Sequence, residues 1–216
     1  MTDVIGVFRE CKIVPVLVIE DPASAVPVAQ ALAAGGLTCA EVTFRTARAT
    51  EVLSRMTGEV PGLLAGAGTV LSVKQAQDAR VAGAKFIVAP GFNPEVAAFC
   101  AERQLPYFPG IATPTELERA LGHDLHVLKL FPAEPLGGVT YLKAIAAPYG
   151  SAVEFMPTGG ISASNIGSYL ALKQVVACGG SWMAPAEWVK AGRFDAIREE
   201  TAKAVAAARP LSGATA

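Results

Sequence analysis

The chain of 216 residues carries little charge: Asp, Glu, Lys and Arg make up 17% of it, and the formal net charge is −1. A chain so close to neutral lacks the basic surface by which proteins bind nucleic acid or anionic membranes, so any bound anion must be held by a local site. With 52% hydrophobic residues, the chain has enough apolar surface to offset the entropy of ordering, which excludes disorder as its main state.

Cysteine is also scarce, and no two of the four cysteines form a CxxC pair: Cys11, Cys39, Cys100 and Cys178. This scatter is typical of a reduced chain rather than a disulfide scaffold. No apolar run approaches the ~20 residues needed to cross a bilayer. The segment Met1–Cys11 carries charged residues and lacks the apolar stretch of a signal peptide. We therefore expect a cytoplasmic protein with no membrane or nucleic-acid partner.

Short apolar runs alternate with amphipathic, Ala-rich stretches along the whole chain. Most runs end in Gly, Pro or a polar residue, which is typical of strands followed by turns. The predicted strands are Ile13–Ile19, Cys39–Arg45, Leu63–Val70, Phe86–Gly91, Tyr107–Ala112, His126–Ala133, Glu154–Gly160 and Val175–Trp182. Eight strand–helix units predict a TIM (β/α)8 barrel. We expect one domain over residues 1–216, with a short helix within Met1–Cys11 closing the bottom of the barrel.

Helix starts are marked by a capping residue before Pro, as in Asp21-Pro22, Asn93-Pro94 and Thr113-Pro114. The alternative architecture is an open, doubly wound parallel sheet. Its dinucleotide-binding form has a GxGxxG turn after the first strand, whereas here Ile13–Ile19 leads into Glu20-Asp21-Pro22. This difference favours the barrel.

Lys129 interrupts the apolar run His126–Ala133. With period two, Lys129 shares a face with Val127 and Phe131, while Leu128 and Leu130 lie on the other face. If the leucines pack against the helices, Lys129 points into the barrel, where a neutral amine would be a nucleophile for carbonyl carbon. The alternative is a lysine that extends to solvent at the end of its strand.

A second polar face lies on the predicted strand Cys39–Arg45, where Glu41, Thr43 and Arg45 alternate with Val42 and Phe44. A carboxylate inside the barrel can act as general acid and base. An arginine at the strand end can bind a substrate carboxylate with two hydrogen bonds. An ion pair between Glu41 and Arg45 that only stabilises the barrel is the alternative interpretation.

Glycines at several strand ends indicate close approach of the backbone to a ligand. Gly159-Gly160 ends the seventh predicted strand, and Gly179-Gly180 with Ser181 ends the eighth. TIM barrels commonly bind phosphate after these two strands, through backbone amides, although tight turns alone would also explain the pattern. Thr69 follows a third glycine-rich strand end, and Pro90 closes the fourth strand, where we expect it to shape the mouth.

In combination and in this order, these segments resemble the class I aldolases that cleave 2-keto-3-deoxy-6-phosphogluconate and often also 4-hydroxy-2-oxoglutarate. The similarity extends over nearly the whole chain. It is carried by Glu41–Thr46, Gly66–Val70, Ala89–Gly91, Phe108–Ile111, Lys129–Glu134, Pro157–Ile161 and Gly179–Trp182. Each segment alone is weak evidence, whereas the set on successive strands is specific.

The resemblance implies a homotrimer of (β/α)8 barrels that needs no metal or other cofactor. It makes Lys129 the lysine that forms a Schiff base and Glu41 the acid/base carboxylate. Arg45 and Thr69 match the groups that bind the pyruvate carboxylate. The implied reaction is reversible cleavage to pyruvate and glyceraldehyde 3-phosphate, within the Entner–Doudoroff pathway, and the second activity would give pyruvate and glyoxylate.

The remaining matched positions concern substrate selection. Thr158 matches a position linked to stereochemical control at C4, Gly159, Gly160 and Ser181 match a phosphate pocket, and Phe131 packs near the lysine. Three alternatives stay open: a sister aldolase for 2-keto-3-deoxy-6-phosphogalactonate, a metal-dependent pyruvate aldolase, and a non-catalytic barrel that binds sugar phosphates. Thr158 and the glycine pairs favour the gluconate enzyme, and the presence of both Lys129 and Glu41 argues against a non-catalytic barrel.

Overall fold

A computed structural model describes residues 3–208. Strands and helices alternate along this range, as the sequence predicts. The strands are Ile13–Leu17 (β1), Cys39–Thr43 (β2), Leu64–Gly68 (β3), Ile87–Val88 (β4), Tyr107–Phe108 (β5), Gly110–Ile111 (β6), Val127–Leu130 (β7), Glu154–Phe155 (β8) and Cys178–Gly180 (β9). Each lies within one of the eight predicted runs, with β5 and β6 sharing the run Tyr107–Ala112.

The helices fill the intervals between these strands and also lie at both ends of the described range. They are Val4–Cys11 (α1), Ala25–Ala34 (α2), Ala49–Glu59 (α3), Val73–Val81 (α4), Pro94–Glu102 (α5), Pro114–Leu121 (α6), Gly138–Ala146 (α7), Ile166–Leu170 (α8), Ala186–Lys190 (α9) and Phe194–Ala208 (α10). The predicted caps form: the Asn93 side chain accepts from the Glu95 and Val96 amides, and Thr113 makes a capping box with Glu116. Asp21 caps a short 3₁₀ turn, Pro22–Ser24, which precedes α2.

All strand pairings are parallel, and they follow the order of the chain. One sheet has the order β5-β4-β3-β2-β1-β9, and the other has the order β6-β7-β8. The two sheets meet at Pro109, which lacks an amide hydrogen and separates β5 from β6. On the other side, isolated bridges join Phe155 to Val175 and Thr158 to Gly179. The expected α/β barrel is confirmed, with regular pairing interrupted at these two places.

Successive residues of each strand face opposite sides of the barrel wall. Ala40 and Val42 of β2 and Leu128 and Leu130 of β7 belong to the large apolar cluster between strands and helices. The residues between them, including Glu41 and Lys129, therefore face the barrel interior. The side chains of Glu41 and Lys129, which the sequence places on two polar strand faces, therefore both point into the barrel.

The amino end of the barrel is closed by a second apolar cluster, into which α1 inserts Phe8. Phe8 is fully buried, with ring centroids 5.0 Å from Phe86 and 5.2 Å from Phe108. Several other members are the first residues of their strands, such as Cys39, Leu64 and Val127. The predicted N-terminal helix thus forms the bottom of the barrel, opposite the carboxyl ends of the strands. Within residues 3–208, none of the helices combines the length and apolarity needed to span a membrane.

Candidate active site

Lys129 lies on the inner face of β7, with only 5% of its surface exposed. The carbonyl of Pro109 accepts a hydrogen bond from its backbone amide at 2.8 Å, and Gly110 is its partner in the neighbouring strand. These contacts fix the backbone from which the side chain extends. The alternative of a lysine that reaches solvent is excluded by this burial.

Glu41 is fully buried on the inner face of β2, and its Oε1 lies 3.6 Å from the Lys129 Nζ. This separation is longer than an N–H···O hydrogen bond of ~2.9 Å. Neither carboxylate oxygen has a hydrogen-bond partner within the described part of the chain. A buried carboxylate without such partners is costly, so the stability of this arrangement depends on the nearby amine. The alternative ion pair between Glu41 and Arg45 does not occur among the salt bridges of residues 3–208.

Arg45 instead contacts Thr69. Its Nε donates to the Thr69 Oγ1 at 3.3 Å, and both residues lie just beyond the carboxyl ends of their strands, β2 and β3. Thr69 has a left-handed backbone with φ of +56°, which directs this threonine away from the strand path. Arg45 is exposed, so its guanidinium retains donors for a further anion. The structure therefore brings together the two residues that the sequence matched to carboxylate binding.

A pocket of about 160 Å³ opens beside these residues at the carboxyl ends of the strands. It is lined by Val16, Val18, Arg45, Phe131, Thr158, Gly159, Gly160, Ile161, Gly179, Gly180 and Ser181. The candidate phosphate residues therefore surround a single cavity together with the Arg45 side chain.

Phe131 connects this pocket to the buried pair. Its ring centroid lies 5.3 Å from the Lys129 Nζ, within the range of a cation–π contact, and the same residue lines the pocket. Lys129, Glu41, Thr69 and Pro90 are outside the pocket lining itself. The candidate residues thus form a buried amine–carboxylate pair and an adjacent cavity, with Phe131 between them.

Pro90 reaches the site through its backbone. A Cβ at Gly110 would overlap the Pro90 carbonyl, and Gly110 is the strand partner of Lys129. The absence of a side chain at Gly110 therefore allows the loop after β4 to approach β6, the strand next to the one that bears Lys129. This placement agrees with a role for Pro90 in shaping the mouth.

The turn after β8 depends on glycine. Gly159 and Gly160 have φ angles of +100° and +81°, which disfavour L side chains. A Cβ at Gly159 would lie 3.2 Å from the Pro132 Cα, so this turn packs closely against the segment that follows β7. The predicted strand Glu154–Gly160 keeps regular pairing only over β8 because Pro157 has no amide hydrogen and the two glycines turn the chain.

A larger groove, about 400 Å³, lies next to the pocket and shares Val18 with it. Its other polar lining includes Glu20, Asp21 and Glu187, with Lys190. Three carboxylates make this groove a poor site for the phosphate or carboxylate of a sugar acid. Within residues 3–208, no group of three or more His, Cys, Asp or Glu side chains is placed to hold a metal ion.

Sequence reasoning misses several contributors to the site. Val16 and Val18 form part of the pocket wall, and they resemble ordinary core residues in the sequence. Gly68 suggests ligand approach in the sequence, whereas a Cβ there would overlap the Glu41 carboxylate. Glu134 and Tyr169, which hydrogen-bond beside the Gly159-Gly160 turn, are not among the predicted site residues. The sequence offers one signal for Glu134, which is the last residue of Lys129–Glu134, a segment that carries part of the family resemblance.

Comparison with known proteins agrees with this geometry. The family model described as "KDPG and KHG aldolase" matches residues 4–200. A 2-dehydro-3-deoxy-phosphogluconate aldolase of Treponema pallidum is 48% identical over 91% of this chain and 93% of its own length.

Two solved structures are similar over most of both chains. A KDPG aldolase from Legionella pneumophila has a TM-score of 0.89 and 38% identity, covering 93% of this chain and 97% of its own. Its pyruvate was captured as a covalent carbinolamine, the adduct of an amine and a carbonyl. The Zymomonas mobilis aldolase with 3-phosphoglycerate has a TM-score of 0.88 and 39% identity, covering 94% and 95%. This chain therefore belongs to the KDPG and KHG aldolase family, the class I aldolases among the carbon–carbon lyases.

Proposed function

We propose that this chain cleaves 2-keto-3-deoxy-6-phosphogluconate reversibly to pyruvate and glyceraldehyde 3-phosphate, with Lys129 as the Schiff-base residue. The observation that carries the proposal is the separation of 3.6 Å between the Lys129 amine and the Glu41 carboxylate, both buried beside the pocket that Phe131 lines. A nucleophilic amine with a proton acceptor in reach is what imine formation requires.

The first half of the reaction forms the imine. The neutral Lys129 amine adds to the C2 carbonyl, and the resulting carbinolamine loses its oxygen as water. Glu41, directly or through a water molecule, accepts the proton from nitrogen and returns it to the departing oxygen. With one further proton taken up from solvent, the product is an iminium ion, whose positive nitrogen can accept an electron pair from the neighbouring carbons.

Carbon–carbon cleavage then uses this electron sink. Glu41 takes the proton of the C4 hydroxyl, the C3–C4 bond breaks, and its electron pair moves toward the iminium nitrogen. Glyceraldehyde 3-phosphate leaves, and an enamine of pyruvate stays on Lys129. Protonation of the enamine at C3 and hydrolysis of the imine release pyruvate and restore the amine. The imine nitrogen thereby does the work that a Lewis-acid metal would do.

Arg45 and Thr69 are proposed to bind the substrate's carboxylate. The Arg45 guanidinium can bind a carboxylate in a bidentate pair, and its contact with Thr69 at 3.3 Å limits the orientations of the side chain. Both lie beyond the strand ends, at the mouth above the buried pair. Pro90, which follows the next strand, β4, is proposed to shape the mouth through its contact with Gly110.

The phosphate of the substrate is proposed to lie against Gly159, Gly160 and Ser181, with Phe131 and Thr158 in the wall between phosphate and imine. The pocket volume of about 160 Å³ suits the phosphate end of the substrate rather than the whole molecule. A Cβ at Gly179 would overlap the Thr158 hydroxyl, so Thr158 is fixed against β9. This fixed hydroxyl supports the assignment of Thr158 to selection at C4.

Cleavage of 4-hydroxy-2-oxoglutarate to pyruvate and glyoxylate is proposed as a second activity, because the matched family covers both substrates. It uses the same residues apart from the phosphate pocket. The galactonate-derived substrate is the alternative, and the naming of the Treponema relative as a phosphogluconate aldolase favours the gluconate compound.

We also propose a cytoplasmic homotrimer that acts in the Entner–Doudoroff pathway. The family resemblance supports the trimer and the pathway, and the scattered cysteines support a reducing compartment. Light scattering of the purified full chain tests the assembly, with three chains per particle as the expected result and a monomer as the contradicting one.

The function itself is tested by incubating the chain with each of the three candidate substrates and measuring pyruvate release. We expect the highest kcat/KM for the gluconate-derived phosphate, in chelator as well as without it. A preference for the galactonate compound would reassign the substrate, and activity lost with chelator would favour a metal-dependent aldolase. An inactive, folded chain that still binds sugar phosphates would support the non-catalytic alternative.

A further inference from the structure

Glu134 lies directly against the turn proposed to bind phosphate. Its backbone amide donates to the Gly159 carbonyl at 3.0 Å. A Cβ at Gly160 would lie 2.6 Å from both the Cβ and the Cγ of Glu134. The stem of the glutamate therefore occupies the space beside Gly160 and supports the turn from the segment after β7.

The negative charge of Glu134 would weaken phosphate binding at the Gly159-Gly160 turn, which the stem of the same residue supports. A carboxylate close to a phosphate site repels the ligand, and Glu134 is exposed, so its side chain has room to move. Among the described residues, one hydrogen bond holds its carboxylate in place, in which the Tyr169 hydroxyl donates to the Glu134 Oε1. Gly138 allows this contact, since a Cβ there would lie 3.0 Å from Oε1 and 3.2 Å from the Tyr169 hydroxyl.

Tyr169 is well suited to act as a fixed donor. It is fully buried on α8, where the surrounding core restricts its ring. Burial, and then the hydrogen bond to Glu134, raise the pKa of the Tyr169 phenol, which therefore remains a protonated donor at neutral pH. The hydroxyl joins two segments of the chain, the one after β7 and the one after the glycine turn.

We propose that Tyr169 is a positioning residue for the phosphate of the substrate, because it holds the Glu134 carboxylate away from the pocket and the Glu134 stem against the Gly159-Gly160 turn. This inference rests on the proposed function. It predicts that Tyr169 affects the binding of phosphorylated substrate and has no effect on the chemistry at Lys129.

The test compares two readouts in the Tyr169→Phe variant. The expected result is a rise of about three- to tenfold in KM for 2-keto-3-deoxy-6-phosphogluconate, since one hydrogen bond to a charged group is lost. Exchange of the methyl protons of pyruvate, which needs the imine and no phosphate, should keep its KM and rate within about twofold. A purely structural role would change both readouts together.

Tyr149→Phe is the matched control, because the Tyr149 hydroxyl also donates to a glutamate, Glu118, at 3.1 Å but away from the pocket. This control should leave both KM values unchanged. Glu134→Gln tests the charge, since its amide oxygen still accepts from Tyr169. The double variant Glu134→Gln, Tyr169→Phe should have a KM for the phosphorylated substrate that lies between those of wild type and Tyr169→Phe.

The outcomes separate the inference from the function on which it rests. A wild-type chain that exchanges no pyruvate protons and cleaves no phosphorylated substrate would contradict the proposed function. An active wild type with equal losses in both readouts of Tyr169→Phe, or with no loss in either, would overturn the positioning role alone. If the KM of the double variant for the phosphorylated substrate were no lower than that of Tyr169→Phe, the role assigned to the Glu134 charge would be overturned.

Discussion

The Glu41 carboxylate occupies the space that a side chain at Gly68 would need. Gly68 ends β3, next to Thr43 in the neighbouring strand, and a Cβ there would overlap the Glu41 carboxylate. Glu41 thus keeps its position 3.6 Å from the Lys129 amine because the adjacent strand has a glycine at this level. In the sequence, Gly68 resembles a residue that lets a ligand approach the backbone. In the structure it also leaves the space that the Glu41 carboxylate occupies.

Gly68→Ala should displace the Glu41 carboxylate and lower kcat by about a hundredfold, the loss that misplacement of a reacting group by ~1 Å can produce. Gly58→Ala is the matched control, since Gly58 lies in α3 and a Cβ there meets nothing within 4 Å. The control should leave kcat unchanged and raise the free energy of unfolding by up to ~1 kcal/mol. Wild-type activity in a folded Gly68→Ala variant would contradict the importance of the Glu41 position.

Glu41→Gln should separate formation of the imine from cleavage. The amide introduced by this substitution cannot take the C4 hydroxyl proton, so kcat for cleavage should fall by about a hundredfold or more. Pyruvate should still be trapped on the protein, at a lower rate, because the nucleophile is retained. Stopped-flow cleavage and trapping with a reductant measure the two steps. Equal losses in both would remove the separate acid/base role of Glu41.

Phe8→Ala should lower the free energy of unfolding by about 3–5 kcal/mol, the usual range for removal of a buried aromatic ring. The ring closes the amino end of the barrel between Phe86 and Phe108. Val81→Ala is the control, because Val81 is 76% exposed and should change stability by less than ~0.5 kcal/mol. Denaturant unfolding measures both variants. A loss as small as that of the control would show that α1 contributes little to the core.

His126 should make stability depend on pH. Its Nδ1 lies 2.9 Å from the Ala152 carbonyl and its Nε2 lies 2.9 Å from the Asp124 carboxylate. These acceptors, Ala152 first and then Asp124, raise the pKa of His126 above its ordinary value. A raised pKa in the folded state adds stability that is fully present below the unfolded pKa of ~6.5 and is lost as pH rises through the folded pKa.

His126→Gln should therefore lower Tm more at about pH 5.5 than at about pH 8.5. The difference should be small, because the side chain is exposed and solvent screens its charge. The chain has two histidines, so the NMR signal missing from the variant identifies His126 in the wild type and gives its pKa directly. A midpoint below the ordinary histidine value would contradict the effect of the two acceptors.

The faces of β2 and β7 can be predicted from the sequence because alternation along a strand is local. Leu128 and Leu130 identify the outer face of β7, and this alone places Lys129 inside. The distance between Lys129 and Glu41 cannot be predicted, since it depends on the register of several strands between them. The predicted strands are too long where prolines and glycines interrupt pairing, as after Phe155.

The contact between Tyr169 and Glu134, which supports the Gly159-Gly160 turn, cannot be predicted from the sequence for a similar reason. Tyr169 and Glu134 are 35 residues apart. Tyr169 lies on α8, and the apolar pattern of that helix does not determine which polar group meets the Tyr169 hydroxyl. Contacts between loops on the same barrel face depend on how each turn folds back, which local periodicity does not specify.

Lys129 is expected to form a covalent imine with pyruvate. Borohydride reduction of the full chain with pyruvate, followed by intact mass and peptide mapping, tests it most directly. We expect one pyruvate-derived adduct per chain, located on Lys129 and absent from Lys129→Ala. A folded wild-type protein that gains no adduct, or gains it on another lysine, would contradict the assignment of Lys129 as the Schiff-base residue.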